Sequence, residues 1–316
     1  MNNENDDQRM LNKDQINGLI SQRLTQFRPR NWEDDISFNS IEDQPFENLP
    51  SIAEFADQFN QLDKEKISLD QIKAYAANDT AALPCPKDRE GYSANYHVRY
   101  WFTGLSDYLS ILEAAERLNI DIQRYFDFGC ASGRVLRHFV AQSEIEELWG
   151  SDINARHIRW LYEHLPMRVK PIANHAIPHL PVADNYFDVI SAFSVFTHID
   201  TFETCWLAEL KRILKPGGMA YLTIHNEDTW AVLRDEIDNS ENRLINSMEM
   251  ADPDVKEKLK GEMPEGRTVY RFTHRGPYRC QVFHSNSFIK NVWGRFFDDV
   301  EILPCHHVRQ LVVILK

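Results

Sequence analysis

YFDFGCASGR, at residues 125–134, is the stretch of sequence that decides the fold. An apolar run ends there at Gly129, and a second glycine, Gly133, follows after three small residues. Glycine at a strand-to-helix turn lets the backbone approach a ligand closely, and the free N–H groups of the helix start face that ligand. The stretch therefore predicts a buried strand, a binding loop and a helix, in that order.

Strand-like and helix-length patterns alternate after this loop. They run through the helix SGRVLRHFVAQ, the strand IEELWGSDI, the helix ARHIRWLYEHL, the strands MRVKPI and FDVISAF, the helix FETCWLAELKRIL and the strand GGMAYLTIH. Such alternation implies a parallel sheet with helices on both faces. Near the end, FDDVEILPC and VRQLVVILK are too close together for a parallel crossover, so one of them must run antiparallel. We predict an α/β fold with a Rossmann-like, seven-stranded, mostly parallel sheet.

The remaining sequence divides into an extension before the sheet and an insertion within it. Residues 1–115 are predicted to be an N-terminal helical extension or cap, with two short helices between residues 52 and 75 and a disordered segment over the first thirty or so residues. Residues 116–316 are predicted to be the main domain. Residues from about 226 to 284 fit no sheet position, and we predict an inserted substrate cap there, with one or two helices at 230–260 and a strand near Tyr278–Phe283.

Charge and composition narrow the range of partners. The chain has 35 basic and 48 acidic residues, a net charge of −13, which opposes a broad grip on phosphate backbones, so no nucleic-acid substrate is expected. Five scattered cysteines without a CxxC pair predict a reduced protein and a cytoplasmic location. We find no targeting signal and no run of 18 apolar residues, so no membrane association is expected. The sequence leaves the oligomeric state open.

An acidic residue beyond the glycine loop indicates a nucleoside site. Asp152 follows Gly129 by 23 residues, at the end of the next strand, where a carboxylate can accept both hydroxyls of a ribose. A dinucleotide site would want a glycine where Ala131 stands, to make room for a pyrophosphate. Asp127, two residues before the first glycine, suits a cationic ligand better than a pyrophosphate.

These residues resemble the class I S-adenosylmethionine-dependent methyltransferases. Four matches occur in the right order: the glycine loop from Asp127 to Gly133, the acidic Asp152, the run LPVADNYFD ending at Asp188, and the run ELKRILKPGG at 209–218. Ala131 departs from the family, where many members have glycine. The resemblance implies that the last strand is the antiparallel one, that residues 116–316 are a methyltransferase domain, and that the cofactor is S-adenosylmethionine. We expect Asp188 and residues 215–218 to have a structural role only.

The resemblance also implies a set of cofactor-binding residues. The loop would line the methionine and ribose, Asp127 would hold the methionine amino group, and Asp152 the ribose. Ile153 and residues 174–176 would contact the adenine, and residues 193–194 would approach the sulfonium. The full set is Asp127, Gly129, Cys130, Ala131, Ser132, Gly133, Asp152, Ile153, Asn174, His175, Ala176, Phe193 and Ser194.

Two histidines are candidate catalytic bases. His198 follows the predicted fourth strand and His225 the fifth, at the carboxyl ends where open α/β sheets bind ligands. Histidine suits proton transfer near neutral pH. The alternative is that His198 only hydrogen-bonds backbone, next to a helix cap at Thr197 or Asp200. No metal is expected, because the adjacent pair His306–His307 would point to opposite faces of a strand.

An aromatic cluster before the first strand could cover the acceptor. Tyr92 and Tyr96 are the candidate substrate-binding residues, whereas Trp101 and Phe102 fit a packed helix face better. Arg89 and Arg99 flank the cluster and could hold an acidic group or simply pair with surface carboxylates.

The combined prediction is an S-adenosylmethionine-dependent methyltransferase of the EC 2.1.1 class. Its acceptor would be a small molecule, with sugar or natural-product hydroxyl groups as the leading class. Two alternatives remain open. The chain could be a non-catalytic, methyltransferase-like binding or scaffold protein, or a nicotinamide-dependent oxidoreductase, which Ala131, Asp127 and the antiparallel last strand disfavour.

Overall fold

The computed structural model describes residues 45–62, 67–89, 92–272, 280–307 and 310–316. The disorder predicted for the first thirty or so residues lies outside this part of the chain. The strands are β1 (Asn48–Ser51), β2 (Ala82–Pro84), β3 (Arg124–Phe128), β4 (Glu147–Asp152), β5 (Val169–Ala173), β6 (Phe187–Ala192), β7 (Leu214–Ile224), β8 (Arg267–Arg271), β9 (Cys280–His284), β10 (Val300–His307) and β11 (Gln310–Leu315). The helices are α1 (Leu69–Asn78), α2 (His97–Arg117), α3 (Leu136–Gln142), α4 (Ala155–His164), α5 (Glu203–Ile213), α6 (Glu227–Asp235), α7 (Arg243–Ala251), α8 (Val255–Leu259) and α9 (Asn286–Val292).

A seven-stranded sheet forms the centre of the protein. Its strand order is β10-β11-β7-β6-β3-β4-β5, and β11 is antiparallel to both of its neighbours while the pairs from β7 to β5 are parallel. The predicted sheet and its reversed last strand are therefore confirmed. The carboxyl ends of β3, β4, β6 and β7 consequently lie along one edge, and the candidate residues follow these strands.

Two hydrophobic cores lie on the two faces of the sheet. Successive side chains of β3 point to opposite faces, so Tyr125 packs with α2, α3 and α4, whereas Phe126 packs with α5 and α9. All six residues of β6 are buried. A strand covered on both faces reads as a continuous apolar run, which explains why FDVISAF predicted a strand but no alternation.

The outer strands of the sheet each contain a proline. Pro171 lies in β5 and Pro304 lies in β10. Proline has no backbone N–H, so within sheets it is confined to edges and bulges. Within the described ranges, no helix combines the length and apolar character that a membrane crossing requires.

The N-terminal extension contains more than the predicted helices. Residues 52–61 form a 3₁₀ helix, and β1 and β2 pair as a short antiparallel ribbon that the sequence pattern did not indicate. A buried ion pair joins the extension to the main domain: Arg137 of α3 donates from Nε to Asp79 Oδ2 at 2.6 Å, and Trp101 donates to the same oxygen at 2.7 Å. Trp101 is thus a packed and hydrogen-bonded core residue.

Helix α2 approaches the glycine loop closely at Gly104. A Cβ atom at this position would lie 2.1 Å from the backbone carbonyl oxygen of Arg134. Alanine is normally better than glycine within a helix by about 1 kcal/mol. The contact reverses this preference, because a backbone oxygen cannot move aside as the end of a flexible side chain can.

We therefore expect Gly104→Ala to lower the free energy of unfolding by about 2–3 kcal/mol, the cost of overpacking a close contact. Urea unfolding followed by tryptophan fluorescence measures this change. Gly261→Ala is the matched control, because its Cβ would lie at an ordinary 3.5 Å from the Lys258 carbonyl oxygen. A Gly104→Ala protein as stable as the control would mean that α2 does not pack this closely.

The insertion after β7 has its own hydrophobic cluster. Helices α6, α7 and α8 and the antiparallel pair β8–β9 surround Trp230, Leu233, Met248 and Phe283. The structure therefore has three helices where we predicted one or two, and β8 was not predicted. Part of the strand predicted near Tyr278–Phe283 lies outside the described residues, and β9 begins at Cys280.

Strand β9 runs along the carboxyl edge of the main sheet. The N–H of Val282 donates to the Thr197 carbonyl oxygen, and the N–H of His284 donates to the His225 carbonyl oxygen, each at 2.8 Å. Because Thr197 follows β6 and His225 follows β7, the insertion covers the ends of these two strands.

Candidate active site

The glycine loop is held to the neighbouring strand by its backbone. The N–H groups of Gly129 and Cys130 both donate to the Ser151 carbonyl oxygen, at 2.8 and 2.9 Å. Gly133 has a φ of +76°, and a Cβ there would lie 2.6 Å from a methyl carbon of Leu161 on α4. Ala131 also has a positive φ, +45°, so the loop keeps a left-handed turn where the family often has glycine.

Two loop side chains face away from the sheet edge. Ser132 is fully buried, and its hydroxyl donates to the Asp88 carbonyl oxygen in the N-terminal extension. The Cys130 sulfur points at β4, because a Cβ on Gly150 would lie 2.9 Å from it. Any contact of these residues with a ligand would therefore come from their backbone, as the resemblance implies.

Asp152 connects the loop to the segment that follows β4. Its Oδ2 accepts from the Ala131 N–H at 2.9 Å, and its Oδ1 accepts from the Asn154 N–H at 2.8 Å. The side chain is 2% exposed. The structure thus gives Asp152 a role in shaping the loop, and ribose binding stays a prediction.

Asp127 is a buried carboxylate at the end of β3. Its Oδ1 accepts from the Ser191 hydroxyl at 2.7 Å, and that hydroxyl also bonds the Tyr125 hydroxyl at 2.6 Å. Burial raises the pKa of Asp127 to about 7, although the Ser191 hydrogen bond and the charge of Arg134 oppose this rise. The carboxyl group is consequently poised to lose its proton when a cation binds beside it.

Arg134 lies between the loop and helix α2. Its NH1 is 2.6 Å from Asp107 Oδ2, and both side chains are buried. Its guanidinium carbon is 5.3 Å from the centre of the Tyr92 ring and 5.6 Å from that of Phe193. Tyr92 and Phe193, which were predicted to bind substrate and cofactor, thus both lie beside the guanidinium of Arg134.

The residues predicted for the adenine follow β4 and β5. The Asn174 N–H donates to the Asp152 carbonyl oxygen at 3.1 Å, and the Asn174 amide donates to the His175 carbonyl oxygen at 3.0 Å. The Ala176 carbonyl oxygen accepts from the Trp206 indole at 3.2 Å. Ile153 is half-buried beside them. The structure brings these residues to the same edge as the glycine loop.

Ser194 begins the loop after β6 in a left-handed conformation, with a φ of +59°. Its N–H donates to the Thr223 hydroxyl at 2.7 Å, and its own hydroxyl donates to Gln310 Oε1 at 3.1 Å. The preceding Phe193 packs against Tyr221 with ring centres 5.7 Å apart. These contacts tie the loop after β6 to β7 and β11.

The two candidate histidines do not have the pKa expected of bases. The Nδ1 atom of His198 lies 2.8 Å from the Cys280 carbonyl oxygen, and loss of surrounding water lowers the pKa of His198. Burial lowers the pKa of His225 to about 3. Both rings are therefore neutral at physiological pH. His225 stacks on Phe283 and bonds the Gln281 side chain, and its buried Nδ1 has no hydrogen-bond partner among the residues that the structure describes.

The residues flanking α2 differ in their surroundings. Tyr96 is 68% exposed at the start of the helix. Arg89 is buried and donates to the carbonyl oxygens of Pro84 and Ala94, so its guanidinium is engaged by backbone, and a role in holding an acidic group stays a prediction. Arg99 is exposed.

The side chains of His306 and His307 lie outside the described part of the structure. Asp188 accepts from the backbone of Gln123 and Arg124, as a structural residue would.

Sequence reasoning missed two buried acidic residues near the site. Glu203 begins α5 and binds three groups from the insertion and the segment after it: His284, Arg267 and Trp293. Asp107 lies in the middle of α2 and pairs with Arg134. An acidic residue at an apolar position of a helical pattern was the available hint for Asp107, whose neighbours Leu105 and Tyr108 are also buried.

The sheet order, the reversed strand beside β7 and the glycine loop after the first sheet strand are the features of class I S-adenosylmethionine-dependent methyltransferases. Residues 126–222 match the model of a family described as a methyltransferase domain. This part of the chain is therefore a methyltransferase domain of that class.

The chain is similar to curated proteins and to solved structures that are named methyltransferases. The ubiquinone/menaquinone biosynthesis C-methyltransferase UbiE of Cupriavidus metallidurans is 28% identical over 151 residues, which cover 46% of this chain and 57% of that protein. Its namesake from Cupriavidus pinatubonensis is 33% identical over 101 residues, 30% of this chain and 40% of that protein. The chain thus spans about half the length of these relatives. An S-adenosylmethionine-dependent methyltransferase structure from Clostridium acetobutylicum is 11% identical, with a TM-score of 0.45 and coverage of 71% of this chain and 94% of that one.

Proposed function

We propose that this protein transfers a methyl group from S-adenosylmethionine to a hydroxyl group of a small molecule, with sugars and natural products as the leading acceptors. The observation that carries the proposal is the group of buried carboxylates at the sheet edge of a methyltransferase domain. Asp127 lies within electrostatic reach of Asp107, Asp152 and Arg134, and Arg134 also pairs with Asp107. This excess of negative charge suits a ligand that carries both a sulfonium and an ammonium.

In this proposal the loop and the two strand-end carboxylates hold the donor. S-adenosylmethionine supplies a methyl group that its sulfonium already activates. Asp127 binds the ammonium of the methionine part, Asp152 the ribose hydroxyls, and Phe193 and Ser194 lie beside the sulfonium. The protein then has to align the acceptor with the methyl group and exclude water, and the insertion over β6 and β7 suits both tasks.

Neutral polar groups lie at and beside the ends of β6 and β7, which supports a hydroxyl acceptor. They are the Ser194 hydroxyl, the amide groups of Gln281 and Gln310, and the neutral ring of His225, whose Nδ1 has no hydrogen-bond partner among the described residues. The acceptor oxygen forms a bond to the methyl carbon while the carbon–sulfur bond breaks, and the sulfur keeps that electron pair. The methylated oxygen is then an oxonium, a far stronger acid than imidazolium. His225 can therefore take its proton despite a pKa of about 3, and that low pKa means that it gives the proton up again at neutral pH.

Titration calorimetry with S-adenosylmethionine, S-adenosylhomocysteine and NADH tests the donor site. We expect micromolar binding of the first two ligands and none of NADH. Binding of NADH alone would replace the proposal with an oxidoreductase, and binding of none would favour a scaffold protein. Methyl transfer is then tested with labelled donor on a panel of hydroxylated acceptors and matched amines, where binding without transfer to any acceptor would also favour the scaffold.

Asp152→Ala should weaken S-adenosylmethionine binding by about 2 kcal/mol, because the ribose would lose charge-assisted hydrogen bonds and the loop would lose its anchor. Calorimetry measures the loss. Asp184→Ala is the control, since its side chain is 70% exposed on a surface salt bridge in the same domain. Unchanged affinity in Asp152→Ala would refute the assignment of the ribose to this carboxylate.

The cysteines support a cytoplasmic setting for the reaction. Cys85, Cys130, Cys205 and Cys280 form no disulfide within the part of the chain that the structure describes. Together with the acidic net charge, they support our proposal of a cytoplasmic protein whose acceptor is neither DNA nor RNA.

A further inference from the structure

We propose that Asp107, on helix α2 of the N-terminal extension, is a positioning residue of the donor site: its carboxylate holds and neutralises Arg134, so that a cationic donor can bind beside this arginine. The inference rests on the proposed function and assigns part of the donor site to a helix outside the matched domain. Asp107 acts through Arg134 and need not touch the donor itself.

Helix α2 contacts Arg134 at both its backbone and its side chain. Gly104 faces the Arg134 carbonyl oxygen, and Asp107, one turn further along α2, reaches the guanidinium at 2.6 Å. Asp107 is fully buried, and Arg134 is 7% exposed. Arg134 directly follows Gly133, so any change in its placement acts on the last residue of the glycine loop.

The placement of Arg134 creates an electrostatic problem for the donor. Its guanidinium carbon lies 5.6 Å from the ring of Phe193, which we place beside the sulfonium. Arginine does not lose its charge in proteins, so it would repel a second cation bound beside that ring. Burial would lower the pKa of Arg134, but the charge and hydrogen bonding of Asp107, together with Tyr92 and Tyr100, outweigh this and raise it. The ion pair therefore presents little net charge to the donor.

The other carboxylates at the site are engaged elsewhere. Asp127 accepts from the Ser191 hydroxyl, and Asp152 accepts from two backbone N–H groups. Asp107, by contrast, lies directly on Arg134, with Oδ2 at 2.6 Å from its NH1. Without Asp107, Arg134 would attract Asp127 more strongly and so compete with the donor ammonium, to which we assign this carboxylate.

A second buried ion pair of the extension supplies a matched control. Asp79 and Arg137 are as buried as Asp107 and Arg134, are 2.6 Å apart, and likewise join the extension to the main domain. Asp79 lies against Trp101 and not against the glycine loop. A merely structural role of Asp107 predicts the same consequences for both neutralising substitutions.

The experiment compares the affinities of S-adenosylmethionine and S-adenosylhomocysteine, which differ in the methyl group and the charge on sulfur. We expect Asp107→Asn to raise the ratio of the two dissociation constants, donor over product, by about tenfold, since an uncompensated cation disfavours only the sulfonium. Asp79→Asn should leave the ratio unchanged, although both variants should melt at lower temperature. Asp107→Glu should keep the wild-type ratio, and Asp107→Asn/Arg134→Gln should restore it.

Each outcome bears on the inference. An unchanged ratio in a folded Asp107→Asn protein, or an equal change in Asp79→Asn, overturns it. If Asp107→Asn does not fold, Arg134→Gln tests the inference from the other side: the ratio must fall below the wild-type value, and a constant ratio overturns the inference. Failure of the wild-type protein to bind either ligand is a different result, since it contradicts the proposed function itself.

Discussion

Replacing Glu203 by alanine is expected to lower the free energy of unfolding by about 3–5 kcal/mol, the cost of removing one partner of a buried ionic network. Glu203 is 2% exposed and accepts from His284 at 2.9 Å, Arg267 at 3.0 Å and Trp293 at 2.7 Å. Burial alone would raise the pKa of Glu203, and its interactions with His284, Trp293 and Arg267 together outweigh that and lower it. Its removal takes an acceptor from all three side chains, of which Arg267 keeps the Asp200 carbonyl oxygen.

Urea unfolding measures this change, with Glu257→Ala as the control. Glu257 is 76% exposed and pairs with Lys260 one turn away, so its loss should change stability by less than about 0.5 kcal/mol. Glu203→Gln should fall between the two, because an amide keeps one acceptor. A loss below about 1 kcal/mol in Glu203→Ala would show that the insertion does not depend on this carboxylate.

The affinity for S-adenosylmethionine is expected to fall roughly tenfold for each pH unit below 7, because the donor ammonium binds the ionised form of Asp127. The affinity falls on acidification because burial raises the pKa of Asp127 to about 7. Below pH 7 the free protein carries a proton on Asp127, and binding must release it. Folding without ligand has the opposite dependence: the stability that a protonated Asp127 contributes is lost as the pH rises from its ordinary pKa of 3.8 to its raised pKa of about 7, and stays constant above that.

Calorimetry in buffers of different ionisation enthalpy counts the released proton directly. At pH 6 we expect close to one proton released per donor bound, and at pH 8.5 close to none. Asp127→Asn should bind weakly with an affinity independent of pH over this range. A wild-type affinity that is constant between pH 5.5 and 8 would mean that Asp127 does not hold the ammonium.

The parts of the fold that the sequence predicts are those with local patterns. The glycine loop, the buried strands and the short gap before β11 are each visible within about ten residues. Strands β1 and β2 are too short, at four and three residues, to show an alternation, and β8 carries charges at both ends. Their formation depends on partners elsewhere in the chain.

The site was predictable only where function requires a local motif. Glu203 meets its partners across 64 to 90 residues of sequence, and no spacing rule connects them. The histidines show the same limit: position at a strand end suggested bases near neutral pH, but burial is set by the insertion that folds over them. A pKa depends on tertiary surroundings, so residue type alone gave His225 the wrong one.

The prolines in the two outermost strands govern what this sheet can do in contact with other copies. An exposed edge strand is a template for pairing with another chain, and Pro171 and Pro304 each interrupt the row of N–H donors that such pairing needs. The register of β10 against β11 is also irregular between Leu303 and His307. Both edge strands are therefore poor templates for pairing with a further strand. The protein should resist forming cross-β aggregates through these edges even when concentrated.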